Sequence, residues 1–315
     1  MASLVHRWVA TREGFKPRDV EEPIDYWWHR PLASFVVTAL EPTRISANQV
    51  TFASAGVSLL SGGVMALGAW FDRWWMGVGG LLLLLSIVLD CADGQLARVR
   101  GTSSAVGRIL DGTMDAVAPL AVFHGMAFYL LSQGYGHAWV WPLGWATAIS
   151  LIWHASQYDV SKNIYLHASR PDFSLGGNTL LTPEDMRAFQ REFDERGERF
   201  NAFLMSVWVS WTKPQLKAMA PWLEPARSPQ NEAERDVYRR IFRPEMRVLA
   251  WLGFGSHLFL LTIAALLAPR FPIAIWIAWA LMLAPMNLAC LWVVITRRTR
   301  ERLYLAELAT LRSAT

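Results

Sequence analysis

Cysteine is nearly absent: the 315 residues hold two, Cys91 and Cys290, with no CxxC pair and no zinc-ligand spacing. Neither a disulfide framework nor a structural zinc is indicated. Charge is also scarce, with Asp, Glu, Lys and Arg together at 18% against 53% hydrophobic residues. That balance is too apolar for an ordinary soluble fold of this length and points to several membrane spans. Acidic excess is missing too, since the formal net charge is +4. The basic residues do not interleave with aromatics on a polar domain. They sit at the ends of hydrophobic runs, as Arg297, Arg298 and Arg300 do, which is the positive-inside pattern and not a nucleic-acid surface. No fixed-period repeat is visible. Residues 1–20 carry charges throughout and hold no uninterrupted apolar stretch, so no cleaved signal peptide is expected there.

What the chain has in quantity is tryptophan, 17 in all. Trp70, Trp74 and Trp75 flank one junction between apolar runs, and Trp139 and Trp141 another. Amphipathic rings favour the headgroup level, so these positions mark the ends of spans. The apolar runs predict an all-α integral membrane protein with six transmembrane helices, near 48–70, 74–98, 104–131, 139–163, 247–267 and 272–295. Residues 24–40 mix Tyr26, Trp27, Trp28 and Phe35 with Asp25, His29 and Arg30, which suits a helix lying in the membrane interface. The chain then divides into an interfacial arm (1–45), four spans (46–166), a polar insertion (167–244) and two spans with a basic tail (245–315). Within the insertion, Thr182-Pro183-Glu184-Asp185 reads as the start of a charged helix. The apolar stretch 203–211 is too short to cross and suits a segment resting on the bilayer.

With six spans, Arg44, the group Arg98, Arg100 and Arg108, Lys162 with Arg170, and the 297–302 tail all fall on one face. The opposite loops are short and carry few cations. The basic face, with both termini, is therefore expected in the cytoplasm. In a bacterium the membrane would be the cytoplasmic one.

The segment from Leu89 to Ala116 reads LDCADGQLARVRGTSSAVGRILDGTMDA. Asp90 and Asp93 are three apart and Asp111 and Asp115 four apart, so on helices each pair shares a face. Both pairs fall near the cytoplasmic ends of consecutive spans joined by a tight turn, so the faces can meet. Four carboxylates converging at a membrane boundary would repel one another without cations between them. An all-oxygen donor set favours Mg²⁺ or Mn²⁺ over zinc, and four carboxylates suffice for two ions. Gly94 and Ala97 thin the helix beside them so that a ligand can approach the backbone, and Gly107 does the same on the facing helix. Arg98 sets a guanidinium where phosphate oxygens would lie. Small residues packing membrane helices explain any one of these positions, but helix ends have no need of four acids in two same-face pairs.

The pattern Asp90-x2-Asp93-Gly94-x2-Ala97-Arg98-x8-Gly107-x3-Asp111-x3-Asp115 is similar, without gap or substitution, to the signature of the CDP-alcohol phosphotransferase family. Eight fixed positions agree by chance at on the order of 10⁻¹⁰ per starting point, which sets coincidence aside. The stretch Ser46-Ala47-Asn48-Gln49-Val50-Thr51 resembles that family's usual start of its first helix, and the six-span plan matches. The resemblance covers roughly 40–165 well and the last two spans loosely. It implies a six-helix core with a cytoplasmic active site. Asp90, Asp93 and Asp111 would ligate metal, Asp115 would be a ligand and the general base, and Gly94, Ala97 and Arg98 would contact CDP. CMP would be the common product.

Members of the family differ in which substrate carries the lipid. The phrases Asp93 to Arg98 and Gly107 to Gly112 look more like members that transfer a phosphatidyl group from CDP-diacylglycerol to a polar alcohol, and an inositol or inositol phosphate acceptor is favoured. The alternative is transfer of a headgroup from CDP-choline or CDP-ethanolamine to diacylglycerol. A phosphorylated acceptor needs cations, and Arg108, Lys162 and Arg247 at the cytoplasmic span ends could supply them, although ordinary topological charge explains each singly. His154 and Ser156 could line that pocket, but a lone His there is more often hydrogen-bonded packing. Cys91 reads as a small core residue facing away from the metals, and Arg187, Arg191, Glu195 and Arg196 as a solvated helix face. A transporter would put its acids near mid-membrane on broken helices, and a scaffold would explain the insertion but not the aspartates. The expected partners are a CDP-linked lipid donor, a polar alcohol and the bilayer, not nucleic acid. Oligomeric state, a homodimer included, stays open.

Overall fold

The computed structural model describes residues 17–102, 117–170, 188, 191–199, 201–203, 205–206, 209–210, 213, 217, 221–222, 224 and 226–314. Every regular element among them is helical. A π-helical turn Asp25–His29 leads into α1 (Arg30–Leu40), followed by α2 (Ala47–Leu67), α3 (Trp74–Val99), α4 (Val117–Ser132) and α5 (His137–Ser169). The C-terminal part holds α6 (Glu232–Leu249), a 3₁₀ turn Ala250–Leu252, α7 (Phe254–Leu267), α8 (Ile273–Leu281), a π-helical turn Met282–Met286 and α9 (Asn287–Ala314).

Four helical runs are long and apolar enough to cross a membrane: Ala47–Leu67, Trp74–Val99, Glu232–Leu267 and Ile273–Ser313. They match the expected first, second, fifth and sixth spans. The expected third span begins at residues outside the described set, and its described part, Pro119–Ser132, is apolar but short. The expected fourth span is α5, a helix of 33 residues. It falls outside the four because even its apolar part carries Trp139, Trp141, Trp145, Trp153, Pro142 and His154, which keep its hydropathy low. Trp70, Trp74 and Trp139 are exposed, as span-end anchors should be. The expected fifth span is not one straight helix. It starts in the polar α6, capped by Asn231, and breaks at the extended Gly253 before α7.

α3 is the hub, packing against α1, α2 and α7. Ser46 opens α2 with a reciprocal capping box: it accepts from the Gln49 backbone, and Gln49 accepts from its own. From there a row of hydroxyls runs up α2 against α3. Ser54 and Ser86 each donate to the other's carbonyl, at 3.0 and 3.1 Å, and Ser61 donates to the Gly79 carbonyl at 2.8 Å. In hydrocarbon such bonds have few alternatives, so they pin the register of the pair. On another side of α2 a methyl at Gly62 would overlap the Ala121 backbone of α4, so only glycine permits that crossing.

The arm before α1 is tied down by polar groups. Glu22 accepts from the Ser256 backbone at 2.9 Å and its hydroxyl at 3.1 Å, capping α7 at the break, and a methyl at Gly253 would overlap that carboxylate. Arg30 pairs with Glu21 at 2.9 Å, His29 meets Asp25 at 2.8 Å, and Tyr158 donates to the Val20 carbonyl at 2.7 Å. α1 therefore turns its polar residues Arg30, Ser34 and Thr38 inward and Phe35 outward, and the π-helical turn before it leaves Trp27 and Trp28 on the outside. Ala33 and Val37 pack with Val88, Cys91, Ala92 and Leu96, so Cys91 is a core residue of this contact.

Arg100 closes the same region from the other end. Its guanidinium donates to the carbonyls of Leu40 (2.7 Å), Glu41 (3.2 Å), Thr43 (3.0 Å) and Ile45 (2.5 Å). It thus holds the whole α1–α2 connection, including the last carbonyls of α1. Arg100→Ala is expected to cost about 1.5–3 kcal/mol, as for hydrogen bonds to a charged group. The measurement is thermal unfolding of the detergent-solubilised protein. An unchanged midpoint would mean that the connection is held by something else.

Candidate active site

Asp90 and Asp93 lie one turn apart near the C-terminal end of α3, on the same helix as Gly94, Ala97 and Arg98. The helix ends at Val99, one residue after Arg98, and just beyond it Gly101 takes a φ of +64°. The Thr102 N–H reaches back to the Ala97 carbonyl at 2.9 Å and the Gly101 N–H to that of Arg98 at 3.1 Å. This glycine-terminated stop satisfies the last carbonyls and fixes where the motif ends.

Burial grades along the motif. Asp93 is 4% exposed. Asp90, Gly94 and Ala97 are half-buried and Arg98 is exposed. Asp93 Oδ2 accepts from the Thr51 hydroxyl at 2.5 Å. Gln95, on the far side of the helix, is fully buried and faces the arm, where Ser34 donates to it at 3.3 Å. The helix thus has an aspartate side toward α2 and a side toward α1. The gap left by Gly94 has an occupant within the chain, because a methyl there would sit 3.3 Å from an Arg98 guanidinium nitrogen. Gly94 lets Arg98 fold back one turn over the helix.

Gly107, Arg108, Asp111 and Asp115 lie outside the described residues. The two described aspartates do suit half of a hard-cation site: both carry only oxygen donors, and the buried one is oriented by a hydroxyl. Among the described residues there is no cluster of three metal-ligating side chains.

The other candidates have local partners or stand apart. Lys162 donates to Asp159 at 2.5 Å and lies 5.1 Å over the Tyr158 ring. Arg247 is exposed on α6. His154 is fully buried, 3.0 Å from His257 and 3.2 Å from Asn287, so it is hydrogen-bonded packing between helices. Within the insertion, Arg196 pairs with Glu192 on an exposed face, in keeping with a solvated helix surface, and Arg187 and Thr182 to Asp185 lie outside the described residues. A cavity of about 270 Å³ opens between α5, α6 and α9, with Trp222 and Tyr238 in its walls. Its charged residues satisfy each other, Arg297 with Glu245 at 2.8 Å and Arg227 with Glu301, so it carries no orphan charge that calls for an ion.

Sequence reasoning missed Thr51, Arg100 and Glu22. Thr51 stands in the stretch that opens α2 and was readable there only as part of a helix start. Arg100 is indistinguishable from topological charge in a sequence. Glu22 acts across 234 residues, a separation that no local pattern reveals.

Comparison with known proteins bears on the same stretch. Residues 44–170 match the family model described as CDP-alcohol phosphatidyltransferase. A stretch of 85 residues, 27% of the chain, is 34% identical to the bifunctional IPC transferase and DIPP synthase of Rubrobacter xylanophilus, covering 18% of that protein. Another of 69 residues, 22% of the chain, is 36% identical to the phosphatidylinositol phosphate synthase of Cutibacterium acnes, covering 33% of it. A third of 51 residues, 16% of the chain, is 41% identical to the phosphatidylinositol phosphate synthase of Mycobacteroides abscessus, covering 23% of it. The matches thus span a third or less of each relative. The family match and the structure meet at one place: the CDP-alcohol phosphatidyltransferase model spans residues 44–170, and Asp90, Asp93, Gly94, Ala97 and Arg98 lie within that span at the end of α3.

Proposed function

We propose that this protein is an integral-membrane phosphotransferase of phospholipid synthesis that transfers a phosphatidyl group from CDP-diacylglycerol to a polar alcohol and releases CMP. The observation that carries the reading is the aspartate face of α3, with Asp93 buried and held by Thr51 inside the matched domain. An inositol or inositol phosphate acceptor is favoured, in keeping with the names of two of the relatives. Six spans would put the motif, both termini and the basic clusters on the cytoplasmic side, with the arm in the interface.

In this reading Asp90, Asp93, Asp111 and Asp115 hold two Mg²⁺ or Mn²⁺ ions. Metal held there would supply positive charge to neutralise the diphosphate and the departing CMP. Arg98, with Gly94, Ala97 and Gly107, engages the CDP moiety. Asp115 takes the proton from the acceptor hydroxyl. The hydroxyl oxygen then bonds to the phosphorus farther from cytidine, and the bond from that phosphorus to the bridging oxygen breaks, leaving with CMP. Arg108, Lys162 and Arg247 are proposed to attract a phosphorylated acceptor. Asp159 already neutralises Lys162, so an acceptor phosphate would have to compete for it.

The branch is tested by following radiolabel. Label in the phosphatidyl group of CDP-diacylglycerol should appear in a new lipid when inositol, inositol phosphate, glycerol phosphate or serine is added. Label from CDP-choline or CDP-ethanolamine entering diacylglycerol instead would overturn the phosphatidyl-transfer reading.

The nucleotide contact has its own test. Ala97→Leu is expected to abolish the thermal stabilisation that CDP with Mg²⁺ gives, while the midpoint without ligand stays unchanged, because Ala97 is only half-buried. A lowered midpoint with the CDP shift intact would make Ala97 a packing residue.

A further inference from the structure

We infer that Thr51 is a positioning residue that orients Asp93 for metal, coupling α2 to the site on α3. The inference rests on reading Asp93 as a metal ligand.

Thr51 has one hydroxyl proton and two acceptors near it. The Ala47 carbonyl, one turn back on α2, is 3.2 Å away, and Asp93 Oδ2 is 2.5 Å away. A charge-assisted hydroxyl–carboxylate bond at that length outcompetes the longer helix bond, so the proton goes to Asp93. Both residues are 4% exposed, so water is a poor substitute for either partner. The bond engages one carboxylate oxygen and fixes the Asp93 side-chain torsions that aim the other. That is what a hydroxyl behind a ligating carboxylate does: it sets direction and lowers the reorganisation needed when a cation arrives.

The alignment is not a chance meeting of two polar side chains. Ser46 and Gln49 fix where α2 begins, which sets the face on which Thr51 stands. The Ser54–Ser86 and Ser61–Gly79 bonds then lock the stagger of α2 against α3. Thr51, Ser54 and Ser61 lie on one face of α2 and meet Asp93, Ser86 and Gly79 in reverse order along α3. A slip of one residue in either helix would carry Thr51 away from Asp93. The hydroxyl ladder makes the site depend on a helix that supplies none of the aspartates.

The test uses full-length protein in detergent without substrate, and reads the Mn²⁺ concentration that gives half of the maximal thermal shift. Thr51→Val keeps the shape and removes the hydroxyl, and should raise that concentration about 10–100-fold, as for lost outer-shell partners of metal ligands. Thr51→Ser keeps the hydroxyl and should stay near the wild-type value. A Thr51→Val protein with the wild-type Mn²⁺ requirement, whatever its midpoint without metal, would overturn the inference and leave Thr51 a packing residue. So would a Thr51→Ser protein as impaired as Thr51→Val. Failure of the underlying reading looks different: the wild type itself would then show no Mn²⁺-dependent shift, which overturns both.

Discussion

Asp115→Asn is expected to lose turnover by at least about 10²–10⁴-fold, the usual contribution of a positioned general base. The amide keeps the size and a neutral oxygen but cannot accept a proton from the attacking alcohol. As a metal ligand it is weaker than the carboxylate, yet three carboxylates remain in the quartet, so binding of CDP with metal should largely survive. The two effects separate in paired measurements of kcat and of CDP-induced thermal stabilisation. Asp93→Asn serves as the contrast. Asp93 is buried and holds the Thr51 hydroxyl, so its replacement should weaken metal and nucleotide binding together. Near-normal kcat in Asp115→Asn would require another base.

Chelation is the second large effect. Exhaustive removal of divalent cations is expected to bring turnover to background, with full recovery on adding Mg²⁺ or Mn²⁺. The physical ground is repulsion: if the four carboxylates meet at a membrane boundary as proposed, they would not all stay ionised without cations between them. Chelated protein should also unfold at a lower temperature than the metal-replete form, because ions that bind only the folded state stabilise it by mass action. Full activity after chelation would remove metal from the account.

Much of the fold was legible because hydrophobic length is a direct readout of a bilayer crossing. The second span, read as 74–98, is α3 at Trp74–Val99, and the first, read as starting near Asn48, begins at Ala47. The fourth was harder. α5 runs through Asp159 and Lys162 and on to Ser169, because their charges are satisfied by each other and need no loop to reach water. The break at Gly253 was invisible for a different reason. There Glu22, a carboxylate 234 residues away in sequence, caps the start of α7, a contact that no local pattern records.

The pairing of Asp90 and Asp93 was legible in the sequence because a spacing of three on a helix determines a shared face, and the two do lie one turn apart on α3. Their supports were not. Thr51 and Arg100 act through contacts between helices, and periodicity within one helix carries no record of what lies opposite. Gly94 shows the limit from the other side. Its lack of a side chain was read as room for a ligand to approach, and the Arg98 guanidinium of the same helix lies beside it. Of the proposed acceptor cations, Lys162 is engaged with Asp159 and Arg247 is exposed on α6.

The central claim is tested most directly by measuring CMP released from CDP-diacylglycerol by the purified protein, with Mn²⁺ or Mg²⁺ and a panel of polar alcohols. The account predicts CMP only when donor, metal and a suitable alcohol are present together, in amounts equal to the new phospholipid, and none from Asp93→Asn. CMP formation that continues without metal, or at the wild-type rate in Asp93→Asn, would contradict it.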